Sequence, residues 1–201
     1  MVQRREIVGP ARAEGGGNGM ARQPVDLARL VIEVVRDSVP RALEKRIDLG
    51  YDGAQPGAPG VWVDGNPTLL GELARNLLDN AINYTPSSTA QPGVITARVL
   101  ADPFGQVVML QVEDSGPGVP LNERELVFQP FYRVLGSDAD GSGLGLPIVL
   151  EIARQHAATV RLEDANPDHV PPGACFSVRF PARRAADVDD NTPPAPPITG
   201  V

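Results

Sequence analysis

The chain has 201 residues and a formal net charge of −7, with a single cysteine, Cys175, and a single lysine, Lys45. That length suits one domain with a proper core and flexible ends. The acidic balance argues against a nucleic-acid surface, and one cysteine permits no internal disulfide and fits a reducing compartment. No apolar run approaches the roughly 20 residues of a membrane span, and no signal peptide is visible, so no direct membrane insertion by this chain is expected. With only Lys45 available, a cation touching a phosphate is expected to be an arginine or a metal ion, and a Gly-Lys-Ser/Thr phosphate loop is excluded.

Residues 1–23, rich in Gly and Arg, read as a disordered linker or the remnant of a preceding element. Asp26 is an expected N-cap for a helix whose apolar residues (Leu27, Leu30, Val31, Val34, Val35, Val39) repeat at helical spacing, with Pro40 closing it. Arg46 to Tyr51 and Val61 to Val63 are short strand candidates across a Gly/Pro-rich loop. A long helix follows, then a hairpin of Gly93 to Leu100 and Gln106 to Glu113 around the turn Asp102-Pro103-Phe104-Gly105. The second of these strands is apolar almost throughout and is expected to be covered on both faces. Leu121 to Phe128 reads as a short helix, Gln129 to Asp140 as a loop, and Gly141 to about Ala157 as a helix opened by glycines. Thr159 to Glu163 and Ala174 to Phe180 are the last strands, and from Arg183 the chain is a Pro-rich tail that cannot bury itself. This order predicts an α/β sandwich: one mixed, mainly antiparallel sheet with helices on one face, spanning residues 24–182.

The long helix, Pro67 to Tyr84, carries the most information. Asn66 suits the N-cap, Pro67 the first helical position, and Pro86 ends it. With Glu72 at zero on a helical wheel, Asn76, Asn80 and Asn83 fall at roughly 40°, 80° and 20°, while Leu70, Leu73, Ala74, Leu77, Leu78 and Ala81 fill the arc from roughly 100° to 240°. Asparagine disfavours helix interiors. Three on one face are either a solvated surface or a ligand site that needs neutral oxygen and nitrogen donors at fixed height, such as one around a phosphate-bound Mg²⁺.

Asp114 stands at a strand end before Gly116-Pro117-Gly118. It can accept from an exocyclic amine while the glycines let the backbone approach a flat ring, or it can simply make an Asx turn. Gly141, Gly143 and Gly145 precede a helix in which Pro147 is tolerable only in the first turn; the free N–H groups there are either an anion site or a flexible loop. Phe128 and Phe131 read as hydrophobic pins of a lid, and Arg133 as a lid arginine able to reach a phosphate. His156, in a last helical turn, and His169, in a Pro-flanked loop, are not expected to be catalytic.

In their order and spacing these motifs, including NLLDNAINYTP from Asn76, D-x-G-x-G from Asp114, F-x-x-F-Y-R from Phe128 and G-S-G-L-G-L from Gly141, resemble the catalytic ATP-binding domain of bacterial two-component sensor histidine kinases. These share their Bergerat-type fold with gyrase, Hsp90 and MutL. The resemblance implies that Asp114 binds the adenine amino group in a pocket shaped by Gly116 and Gly118. It implies that Asn80 ligates the Mg²⁺ bridging the phosphates of ATP, with Asn76 and Asn83 beside the phosphate chain and Tyr84 flanking the nucleotide. Gly141, Ser142, Gly143, Leu144 and Gly145, with Phe131 and Arg133, would form the lid over it. The catalytic set is then Asn76, Asn80 and Arg133. The implied partners are a histidine-bearing dimerisation hairpin and a downstream response regulator, and the implied location is the cytoplasm, at the inner face of the membrane in a full-length sensor.

The sequence departs from the family pattern in three places. Asn83 stands where many relatives carry a basic residue, which leaves charge neutralisation to Mg²⁺ and Arg133. Gln129 replaces an acid. The phosphoacceptor hairpin is not read in residues 1–23, where Gly9-Pro10 breaks any helix, so the chain is expected to be a fragment or a truncated product. A non-catalytic ATP-binding regulatory module, a serine kinase of the anti-sigma-factor type, and a chaperone or topoisomerase ATPase are the competing readings.

Overall fold

A computed structural model describes residues 22–133 and 143–183. Asp26 caps the first helix by accepting from the Arg29 amide at 3.0 Å, and its other oxygen takes the Gly57 amide at 2.6 Å. The short strand β1 (Gln23–Asp26) leads into that helix, α1 (Leu27–Glu44). Pro40 does not close α1, contrary to the sequence expectation; the helix runs one turn further, with Ala42 fully buried beneath it. An interior proline costs about 3 kcal/mol. Here the extra turn docks Ala42 in the core and brings Arg41 and Lys45 onto the next helix.

Strands β2 (Ile47–Tyr51), β3 (Trp62–Gly65), β4 (Gly93–Ala101), β5 (Val107–Asp114), β6 (Thr159–Asp164) and β7 (Ala174–Pro181) fall close to their expected positions. Five of them form one sheet in the order β2-β4-β5-β7-β6, antiparallel except for β2 beside β4. The mixed, mainly antiparallel sheet is as expected. The pairing of β3 is not: it joins β1 in a separate two-stranded ribbon, with Gln23 opposite Gly65. Arg183 extends this edge by donating its backbone N–H to the Trp62 carbonyl. Pro24 hides β1 in the sequence, because a proline inside four residues reads as linker.

Helices α2 (Pro67–Tyr84) and α3 (Gly145–Gln155) pack with α1 on one face of the sheet. The apolar arc of α2 is buried as the wheel predicts, from Leu70 to Ala81, and Ile82 joins it. It meets Ile95, Ala97 and Val99 of β4 and Val108, Leu110 and Val112 of β5, all essentially inaccessible. Strand β5 is central but alternates buried and half-buried, so only one of its faces is covered. Its apolar run misleads because Val107 and Met109 lie on the open face beside Gln111 and Glu113, where Gln111 bonds Ser177 and Glu113 pairs with Arg98. The expected helix at 121–128 is a set of turns ending in one 3₁₀ turn, Leu126–Phe128.

His156 ties the helix layer together. Its Nε2 accepts from the Asn66 amide at 3.1 Å, and its Nδ1 lies 2.7 Å from the Ile152 carbonyl, so the ring is the neutral Nδ1–H tautomer. Burial lowers its pKa. This bonding fixes the start of α2 against the end of α3. Leu77, at 0 % exposure in the middle of α2, is the simplest probe of the packing: Leu77→Ala is expected to lower unfolding stability by about 2–5 kcal/mol in urea titration.

Candidate functional site

The ends of β5 and β7 leave a cleft beside α2. Its volume is about 250 Å³, against the roughly 10–15 Å³ that one water requires. Asn76, Asn80, Asn83 and Tyr84 form one wall, Asp114 with Ala174 and Phe176 the floor, and Gly118, Tyr132, Arg133, Gly143 and Gly145 the other side. The core-facing leucines of α2 hold its backbone against the sheet, so the amide stripe next to them must line this edge.

Asp114 is 6 % exposed. Its Oδ1 accepts from the Gly116 amide at 2.8 Å and the Ala174 amide at 3.3 Å. Oδ2 accepts from no group among the described residues. Burial pushes the carboxyl up to about 6, with the two backbone donors pulling the other way and Glu113 adding to the rise. A buried carboxylate with one oxygen anchored and one bare can accept from a neutral amine at that second oxygen. Gly116 is required beneath it, since a Cβ there would sit 2.8 Å from Asp114 Oδ1 and 3.0 Å from the Tyr84 carbonyl. Gly118 has φ +74° and lies against the Gly173 carbonyl.

Along α2, Asn76 Nδ2 donates to the Glu72 carbonyl at 2.9 Å, which aims its Oδ1 toward Gly145; a Cβ on that glycine would be 3.2 Å away. The Asn80 side chain has no hydrogen-bond partner among the described residues. Asn83 lines the cleft, but its Oδ1 is occupied by Arg41 at 3.1 Å and Lys45 at 3.3 Å. Among the described residues no three His, Cys, Asp or Glu gather to hold a metal. Asn76 and Asn80 both bring side-chain carboxamides to the cleft, and a carboxamide oxygen is the kind of donor a hard ion accepts.

The lid residues divide. Phe128 is buried against Phe176, edge to face at 6.4 Å, and pins its segment as expected. Phe131 does not: it is 74 % exposed with φ +65°, held because its N–H donates to the Gly143 carbonyl at 2.9 Å. Tyr132 does the pinning instead, lining the cleft and donating its hydroxyl to Glu123 at 2.8 Å. Arg133 and Gly143 line the cleft, whereas Leu144 caps α3 without doing so. Gly141 and Ser142 lie outside the described residues, and α3 starts at Gly145, within the glycine run and with Pro147 in its first turn as expected.

Sequence reasoning missed Asp79, which lines the cleft and meets Arg41 at 2.5 Å. The same wheel places it at roughly 340°, beside Asn83, so the signal was present. Of two further cleft residues, Val119 comes from irregular backbone and Val127 from the single 3₁₀ turn, positions that no periodicity reports.

Asp114 sets a conflict between stability and use. Its folded pKa lies above its unfolded one, so its ionisation penalises the fold above pH 6, and the penalty disappears as pH falls through about 6 toward 4. Asp114→Asn is expected to be the more stable chain at pH 8 by about 3 kcal/mol. That advantage should shrink on acidification, as read by urea denaturation at a series of pH values.

The chain is similar to known proteins in both sequence and fold. The family model described as histidine kinase-, DNA gyrase B- and HSP90-like ATPase matches residues 65–184. The signal transduction histidine-protein kinase/phosphatase MprB of Mycobacterium bovis is 36% identical over 174 residues, covering 86% of this chain and 32% of that protein. MprB of another Mycobacterium species is 36% identical over 193 residues, covering 95% and 35%. The chain thus spans about a third of the curated relatives it matches. Among solved structures, a mycobacterial sensor histidine kinase MprB superposes with TM-score 0.66 at 31% identity, covering 81% of this chain and 98% of the other. Full-length ShkA in complex with AMPPNP gives 0.67 at 26%, covering 85% and 33%.

Proposed function

Because the chain belongs to the histidine kinase-, DNA gyrase B- and HSP90-like ATPase family, we propose that its cleft binds ATP with Mg²⁺ and donates the γ-phosphoryl group to a histidine on a separate dimerisation hairpin. The observation that carries this reading is the buried Asp114, with Oδ2 bare in a cleft whose facing wall is a stripe of carboxamides. The nucleotide-binding unit expected over residues 24–182 takes in Gln23 and Arg183 as well, since both bond to β3.

Asp114 Oδ2 accepts from the adenine amino group, and Gly116 and Gly118 let the ring lie close to the backbone. Tyr84 flanks the nucleotide. Asn80 would hold Mg²⁺, which when bound neutralises phosphate charge. Asn76 orients the phosphate chain, and Arg133 covers it from the lid segment with the glycine run 141–145. Phosphoryl transfer asks mainly for positioning and charge neutralisation, and these side chains supply both without a base of their own. The acceptor histidine lies in the same full-length protein or in trans, and a response regulator takes the group onward. Among the described residues no helix is long and apolar enough to cross a membrane; in a full-length sensor this unit sits at the cytoplasmic face.

Asp114→Asn is expected to weaken ATP binding by on the order of tenfold to a hundredfold, the worth of a hydrogen bond to a charged group; unchanged affinity by calorimetric titration would sink the adenine assignment. Asn80→Ala should abolish the dependence of ATP affinity on Mg²⁺, and full dependence in that variant would count against Asn80 as ligand. With γ-labelled ATP and a separately supplied histidine hairpin, acid-labile label on the hairpin is expected. Acid-stable label would indicate a serine kinase. No label with ATP bound would favour a regulatory module.

A further inference from the structure

The charges at the cleft do not suit a polyphosphate as they stand. Among the described residues lining it, the carboxylates Asp79 and Asp114 face one guanidinium, Arg133. The residues of α2 that line the cleft, Asn76, Asp79, Asn80, Asn83 and Tyr84, include no cation. The needed positive charge stands one side chain behind that wall, on α1. Arg41 reaches across with Nη1 on Asp79 Oδ1 at 2.5 Å and Nη2 on Asn83 Oδ1 at 3.1 Å. Lys45 brings its Nζ to the same Asn83 oxygen and to the Ile82 carbonyl, both at 3.3 Å. Two cations thus converge on one neutral oxygen, with a single carboxylate between them. Surface pairing of this kind contributes little to stability. It leaves a net positive charge against the cleft wall, and the Arg41 side chain is 42% exposed.

We propose that Arg41 and Lys45 of α1, held directly behind the cleft wall by Asp79 and Asn83, form a cationic pair that binds the polyphosphate end of the nucleotide. The inference rests on the nucleotide reading above. It also gives a use to the turn of α1 beyond Pro40, which carries both residues. Asn83 is then a positioning residue: its carbonyl oxygen fixes the pair rather than touching phosphate itself. Arg41 cancels Asp79, which would otherwise repel the ligand, and Lys45 adds the surplus charge. An arginine fork suits phosphate oxygens and a lysine adds a mobile point charge.

A merely structural role at the end of α1 would affect all nucleotides alike, so the test is the dependence on phosphate number. Affinities of the 201-residue chain for adenosine, AMP, ADP and ATP are measured with and without Mg²⁺. Arg41→Ala and Lys45→Ala are expected to leave adenosine within twofold and to weaken ATP by about tenfold, with AMP and ADP between and the double variant weaker still. Asn83→Lys in the double variant should recover most of the loss, because it returns a cation to the wall. Lys45 is exposed, so its variant reads the effect even where Arg41→Ala disturbs the helix contact. Equal loss for adenosine and ATP, or no loss in either variant, would overturn the pair while leaving the nucleotide reading intact. A parent chain that binds none of the four ligands would overturn both.

Discussion

A helix that buries one stripe of leucines against a sheet has no freedom over where its other stripes point. In α2 the buried arc from Leu70 to Ile82 is seated on β4 and β5, and a fixed rotation then puts Asn76, Asn80, Asn83 and Asp79 along the cleft at the ends of β5 and β7. Rotating the helix to move any one of them would expose several fully buried leucines, each worth about 1.5–3 kcal/mol in burial. The site therefore inherits its rigidity from the core, which sets the heights at which the amides stand along the cleft.

The sheet makes the complementary contribution. Strand β5 ends at Asp114 directly opposite Ala174 of β7, so the carboxylate sits where the ladder stops and takes its last amide. That placement explains why the group can be buried, half-satisfied and still accessible from the cleft. It also explains the cost: a carboxylate raised to about 6 by burial destabilises its own fold at neutral pH. A packing role would be met better by an asparagine, and this is part of why we propose the arrangement for ligand binding.

Much of this was legible in the sequence because it depends on local rules. The cap at Asn66, the proline after it and the leucine spacing define α2 without any tertiary knowledge, and the amide stripe follows from the same wheel. The alternation of Ala174, Phe176, Val178 and Phe180 defines β7. What the sequence hid depends on contacts between distant segments. Pro40 looks like a stop, but docking of Ala42 carries the helix past it. Strand β1 is four residues with a proline, visible only through its partner β3. Val107 and Met109 made β5 look covered on both faces, although one is open. Phe131 looked like a pin, yet its left-handed backbone turns it outward while Tyr132 is held by Glu123. The cations Arg41 and Lys45 come from another helix, and no motif along α2 could have announced them.

The central claim is that Asp114 marks the adenine end of the cleft and the asparagine stripe its phosphate end. A crystal structure of the chain with Mg²⁺ and a non-hydrolysable ATP analogue tests it most directly. The account predicts the adenine amine on Asp114 Oδ2, the metal on Asn80 and the phosphates running along α2 toward Asn83. A nucleotide seated elsewhere, or bound in this cleft with its base away from Asp114, would contradict it.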